Sequence, residues 1–193
     1  MTANTELRLS IFQNEDMKPT FHSIEMLRAE HVNVLRACAE GEAMAQSLLR
    51  SENVPAEALS ALTRFFVEYV GERHRRKERD MLFPIIERKH GPEVLGHSLR
   101  GHEEGCWWIR CLRQIAQAYD NGCVAAGKRW VQTWTSYSTM LKSQIEGEER
   151  LLYPLAEEAL TPGEELALCE AFEETDREAD ERIGYPAGKS EAA

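Results

Sequence analysis

The amino-acid sequence predicts an all-α chain. The expected architecture is an antiparallel up-down-up-down four-helix bundle with an N-terminal arm and a short C-terminal helix. Three observations predict it. Apolar residues recur every three to four positions over long stretches, glycine and proline clusters cut the chain into a few segments, and nothing alternates with period two between turns. Four segments of about 28–36 residues joined by short loops pack most simply as antiparallel neighbours.

Residues 1–21 are of mixed polarity with no clear period and are read as an arm. From His22 to about Leu49, Ile24, Leu27, His31, Leu35, Cys38, Ala45 and Leu48 mark one helical stripe. Ser51-Glu52-Asn53-Val54-Pro55 breaks the chain, and Pro55 suits a helix start. The second helix is expected from about Ala56 to Lys89, with Pro84 kinking it or closing its regular part. His90-Gly91-Pro92 stops it and opens a third helix to about Tyr119; Asp120-Asn121-Gly122 turns into a fourth, from about Val124 to Ala159. Thr161-Pro162-Gly163-Glu164 starts a fifth, ending near Asp180, and a tail follows. The domain organisation read from this is an arm over 1–21, a bundle over 22–160, and a short helix and tail over 161–193.

At 193 residues, 42% hydrophobic and 29% charged, the chain suits one soluble domain with its own core. Thirty-three acidic against 23 basic residues leave a net charge of −10, which disfavours a general affinity for nucleic acid or anionic lipid. No apolar run approaches the roughly 18–20 residues that span a membrane. Met1 to Asn14 lacks a basic start and an apolar stretch, so a cytoplasmic location is expected. The five cysteines, Cys38, Cys106, Cys111, Cys123 and Cys169, include no CxxC pair and are read as reduced thiols, mostly buried.

Chemistry enters with the polar residues that share the apolar stripes. The first helix offers His31, the second His74 and Glu78, the third His102, the fourth Gln144 and Glu148. Residues four apart stack on one helix face. Inward carboxylates need compensation, which a bound cation provides, and imidazole with carboxylate suits iron, zinc or manganese better than calcium. An eleven-residue frame occurs twice: His74-x-x-x-Glu78-x-x-x-Leu82-Phe83-Pro84 and Gln144-x-x-x-Glu148-x-x-x-Leu152-Tyr153-Pro154. Each copy follows a helix that carries an inward histidine. His22, His90 and His97 are read as ordinary core or boundary residues. The tryptophans Trp107, Trp108, Trp130 and Trp134 are read as core or interface filling. The cluster Arg73, Arg75, Arg76, Lys77 and Arg79 is read as a solvated face pairing with nearby acids.

These motifs, with Glu30-His31 in the first helix and Gly101-His102-Glu103-Glu104-Gly105 in the third, resemble the hemerythrin family, specifically bacterial hemerythrin-like HHE cation-binding domains. The resemblance covers about Ile24 to Ala159. It implies a four-helix bundle around two non-haem irons with an oxo or hydroxo bridge, held by His31, His74, Glu78, His102 and Glu148, with Glu78 and Glu148 bridging. Gln144 stands where the family pattern expects a histidine, and Arg75 where many members have a second one. Cys106 stands where an arginine is common, on the face of His102. Tyr137 and Tyr69 are read either as hydrogen-bonding partners of the ligands or as core rings.

The function expected is a diiron protein that binds or reacts with dioxygen, peroxide or nitric oxide. The alternatives are a non-catalytic oxygen- or iron-sensing module, or a site holding one metal; zinc or manganese could replace iron. The partner expected is a small diatomic or peroxide ligand, with no nucleic acid and no membrane. Phe65, Phe66, Trp107 and Trp108 are candidates for a homodimer surface.

Overall fold

The computed structural model describes residues 21–183; the expected tail, and all of the expected arm but Phe21, lie outside them. The described residues are helical, without a strand. In order they form α1 (His22–Leu49); α2 (Ala56–Phe65), which runs on through π-helical stretches Phe66–His74 and Lys77–Leu82 into α3 (Phe83–His90); a 3₁₀ turn, Pro92–Leu95; α4 (Gly96–Asp120); α5 (Val124–Gly147), running on through a π-helical stretch Glu148–Leu152 into α6 (Tyr153–Ala159); and α7 (Pro162–Ile183). No helix among them is long and apolar enough to cross a membrane.

The boundaries fall within a few residues of those expected from glycine and proline punctuation. Gly91 and Gly122 adopt φ of +87° and +81°, conformations that favour glycine, at the two turns read from the sequence. The last helix runs three residues past its expected end. It opens with a reciprocal cap: Thr161 Oγ1 accepts from the Glu164 amide (3.3 Å), and Glu164 Oε2 accepts from the Thr161 amide (2.9 Å).

Pro84 does not end the second segment, which runs on to His90. The turns before it are widened to π geometry, and the same happens before Pro154. A proline lacks the N–H for the preceding turn and its ring crowds the carbonyl four residues back, so a wider turn relieves both. Both copies of the repeated frame therefore carry their acidic residue, Glu78 or Glu148, on a π turn.

Two apolar clusters build the core. One contains Val34, Phe66, Val70, Ile109, Leu112, Trp130, Trp134 and Ile145. The other contains Leu27, Leu82, Phe83, Leu95, Leu152, Tyr153 and Phe172 of α7. Phe66, expected as part of a dimer surface, is fully buried in the first cluster, because Phe66, Val70 and His74 share the inward face. Trp107 is the exposed member of that group, at 50%. The two clusters do not merge. His31 lies between Leu27 and Val34, His74 and Glu78 between Val70 and Leu82, His102 between Leu95 and Ile109, and Glu148 between Ile145 and Leu152.

Trp134 packs flat against α1 where Gly41 has no side chain; a Cβ there would lie 2.0 Å from the indole. Exposed Gly→Ala changes in helices stabilise by about 1 kcal/mol, but here the ring blocks the added carbon. Gly41→Ala is expected to destabilise the chain by about 2 kcal/mol, read as a lower urea midpoint with unchanged slope.

Candidate metal centre

The layer between the two clusters is polar and almost fully buried. His31, His74, Glu78 and Glu148 each place a donor atom within 4.8 Å of the others. The Nε2 atoms of His31 and His74 face each other at 3.1 Å. Glu78 Oε2 lies 3.4 Å from His74 Nε2 and 3.1 Å from His102 Nε2. Glu148 reaches both outer histidines, 3.5 Å from His31 Nε2 and 3.7 Å from His102 Nε2. Gln144 Nε2 donates to Glu148 Oε1 (2.9 Å), which leaves Gln144 Oε1 buried without a partner. All six residues singled out in the sequence thus meet in one layer.

Outer carboxylates set two of the rings. Glu149 Oε1 accepts from Nδ1 of His31 (2.7 Å), and Glu30 Oε2 accepts from Nδ1 of His74 (2.9 Å). With Nδ1 donating outward, both Nε2 atoms face into the layer, where a bound cation would take the place of the proton that the raised pKa leaves on His31 Nε2. Neither carboxylate is left alone. Arg28 donates to Glu149 (3.2 Å) and Lys77 to Glu30 (2.5 Å). His102 has no such acceptor, and its Nδ1 is unpartnered.

The aromatic residue of each repeated frame covers the histidine of a neighbouring helix. Tyr153 stacks on His31 (centroids 5.3 Å, 9° between planes), and Phe83 on His102 (5.5 Å, 17°). Tyr153 does more than stack: its hydroxyl donates to Glu78 Oε1 (2.9 Å) and lies 3.2 Å from His31 Nε2. Tyr137 and Tyr69, the candidates for this role in the sequence, do not fill it. Tyr137 instead packs edge-on against Phe66 and Trp134, and Tyr69 accepts from Asn33 away from the layer. The signal for Tyr153 was present, since it is the one hydroxyl-bearing residue at the aromatic position of the frame.

The expected solvated basic face is corrected in part. Arg79 is exposed, but Lys77 is fully buried and Arg75 only 3% exposed. Lys77 bridges Glu30 and Asp176 of α7, and Arg73 pairs with Asp176 (2.7 Å). Burial became affordable because α7 brings acids onto this face, which no local pattern around residue 77 announces. Cys106, placed on the His102 face by the sequence, is exposed and meets Arg75 Nη1 at 3.6 Å rather than the layer.

Charge in the layer is strongly coupled. Burial alone would lower the pKa of His31, yet hydrogen bonds to Glu148 and Glu149 outweigh it and raise it to about 9. Burial would raise that of Glu148, but hydrogen bonds from His102 and His31 hold it well below the usual range. Glu30 falls to about 2, its burial outweighed by His74 and Lys77. Three imidazole nitrogens, once they yield their protons, two inner carboxylates and an unpartnered amide oxygen form a donor set that suits a cation of the iron or zinc type.

The metal-free chain should therefore show a pH dependence of fixed sign. His31 contributes stability that is complete below its ordinary pKa of 6.5 and is lost as pH rises through about 9. Glu148 and Glu30 contribute stability present above their ordinary 4.5 and lost as pH falls through their lowered values. Urea midpoints of metal-free protein are expected to be highest between those limits and to fall on both sides. A midpoint that climbs from pH 6.5 to 9 would contradict this assignment.

Comparison with known proteins agrees with this geometry. A search of curated proteins and one of solved structures found no match. The family model described as the hemerythrin HHE cation binding domain matches residues 22–156, which include every residue of the polar layer. The match covers more than half of the chain, which therefore belongs to the hemerythrin HHE cation-binding domain family.

Proposed function

We infer that the chain is an iron protein whose polar layer holds two non-haem irons and binds or reacts with dioxygen, peroxide or nitric oxide. The observation that carries the reading is the meeting of three histidines, two carboxylates and an unpartnered amide oxygen in a buried layer. The helices from His22 to Ala159 would then form the up-down-up-down bundle that such a centre needs.

His31 and His74 would present Nε2 on one side of the layer and His102 and Gln144 on the other, with Glu78 and Glu148 shared between. When bound, iron would supply redox equivalents and an open position for a small oxygen or nitrogen species. The chain's own residues do the rest. Glu149 and Glu30 hold His31 and His74 in the tautomer that leaves Nε2 free. Tyr153 keeps its proton on the hydroxyl, because burial and then the charges of Glu78 and Glu148 raise its pKa well above the ordinary value. Its one proton therefore goes to Glu78 Oε1 and orients that carboxylate beside the layer. Phe83 and Tyr153 cover His102 and His31 and keep water away. Gln144 in place of a nitrogen donor would leave its side of the centre with fewer strong ligands.

A one-metal reading is favoured by one observation: His31, His74, Glu78 and Glu148 alone already form a compact set. The two readings separate on metal content. Protein purified without affinity metal, loaded with ferrous iron without air and then exposed to it, is expected to hold two irons per chain and to gain near-ultraviolet bands. One iron per chain supports the second reading, and none contradicts both. Gln144→Leu is expected to cut the count from two to one with the helical signal intact, and Gln144→His to tighten retention against a chelator by about tenfold. Stopped-flow mixing of the loaded protein with oxygen, peroxide and nitric oxide then identifies the ligand it consumes or retains.

A further inference from the structure

Arg75 is a buried cation that the metal reading does not use. It follows His74 on the second helical segment, is 3% exposed, and reaches across to α4. Gly105 makes room for it: a Cβ at that position would lie 2.0 Å from Nη2 and 2.9 Å from Nη1. Nη1 donates to the His102 carbonyl oxygen (3.2 Å) and meets the Cys106 sulfur (3.6 Å). Nε and Nη2 have no hydrogen-bond partner.

Those two atoms are not an arbitrary pair. Nε–H and one N–H of Nη2 point in parallel from a single edge of the guanidinium plane, and that edge takes both oxygens of a carboxylate-like anion at once. Nη2, Cζ and Nη1 are the three atoms nearest the Gly105 Cβ position, so Nε lies farther from it. A buried cation without a paired anion is costly.

We propose that the Nε/Nη2 edge of Arg75 is a binding site for a small anion bearing two oxygen acceptors, of the nitrite, formate or hydrogencarbonate class. The anion would neutralise the guanidinium and accept both hydrogen bonds of that edge. Cys106, which Arg75 meets, also lines a groove of about 260 Å³ with Gly71, Glu72, Ile109, Arg110 and Arg113, and two arginines against one acid there favour anions. Because every receptor atom belongs to the chain, this site exists whether or not the layer holds metal. It goes beyond the metal reading, and its failure would leave the metal count untouched.

The test is a side-chain ¹H–¹⁵N NMR titration of the full chain, metal-free and zinc-loaded, following the Arg75 Nε–H signal assigned through bonds. The probes are sodium nitrite and sodium formate, with sodium chloride at equal ionic strength as control. The expected result is a saturable shift with nitrite and formate, in both forms of the protein, and none with chloride. Arg75→Lys keeps the charge but loses the paired edge, and is expected to weaken nitrite binding about tenfold, followed on neighbouring backbone amides. No saturable shift in the wild-type chain overturns the proposal without reference to any variant. Equal shifts with chloride, an adventitious ion only, overturn it as well. So does binding confined to the zinc-loaded form and unchanged by Arg75→Lys, which would place the anion on the metal.

Discussion

A layer of charged and polar side chains inside an apolar core is the constraint on which the rest of this molecule depends. His31, His74, His102, Glu78, Glu148 and Gln144 are each at most 5% exposed, and they separate two clusters of hydrophobic side chains. Left without partners, such groups would cost several kcal/mol apiece. The chain meets that cost from three directions. The layer's members bind one another, outer carboxylates fix two of the three rings, and buried cations hold one of those outer carboxylates in turn.

The support extends beyond the span that the family model matches. Glu30 orients His74, Lys77 pairs with Glu30, and Asp176 of α7 pairs with Lys77. At the other end, Glu165 of α7 accepts from the amide of Ser23 (3.0 Å), an N-terminal donor of α1, which has no side-chain cap of its own. The last helix is therefore fastened both to the start of the helix that carries His31 and to the outer partner of His74. Glycines serve the same layer from α4. At Gly101 a Cβ would lie 2.6 Å from Gln144 Oε1, and at Gly105 2.0 Å from Arg75 Nη2. Gln144 and Arg75, two of the three positions read as departures from the family pattern, thus each have a glycine of α4 facing them, one turn apart.

Much of this was legible in the sequence, for reasons that can be named. Helix limits followed Pro55, Gly91-Pro92, Gly122 and Pro162 because those residues act through local backbone geometry. Four of the six residues of the layer were legible because the frame ending in Leu-aromatic-Pro occurs twice, and His31 and His102 because each lies on the apolar stripe of the helix before a copy. Lys77 and Arg75 were misread as solvated because their partners lie far along the chain: Asp176 is 99 residues beyond Lys77, and Gly105 is 30 beyond Arg75. Tyr153 was missed because widened π turns carry the aromatic of each frame onto the histidine of a neighbouring helix, a register that a uniform helical period does not give. Phe66 was misplaced for a simpler reason, since two adjacent phenylalanines look alike until one is packed.

Anomalous X-ray diffraction at the iron edge, from crystals of iron-loaded protein, shows whether the polar layer is built around metal. Two iron peaks are expected inside the layer, one within bonding distance of Nε2 of His31 and His74, the other of His102, with Glu78 and Glu148 between them. Iron confined to surface carboxylates, with the layer still closed by its own hydrogen bonds, would contradict it.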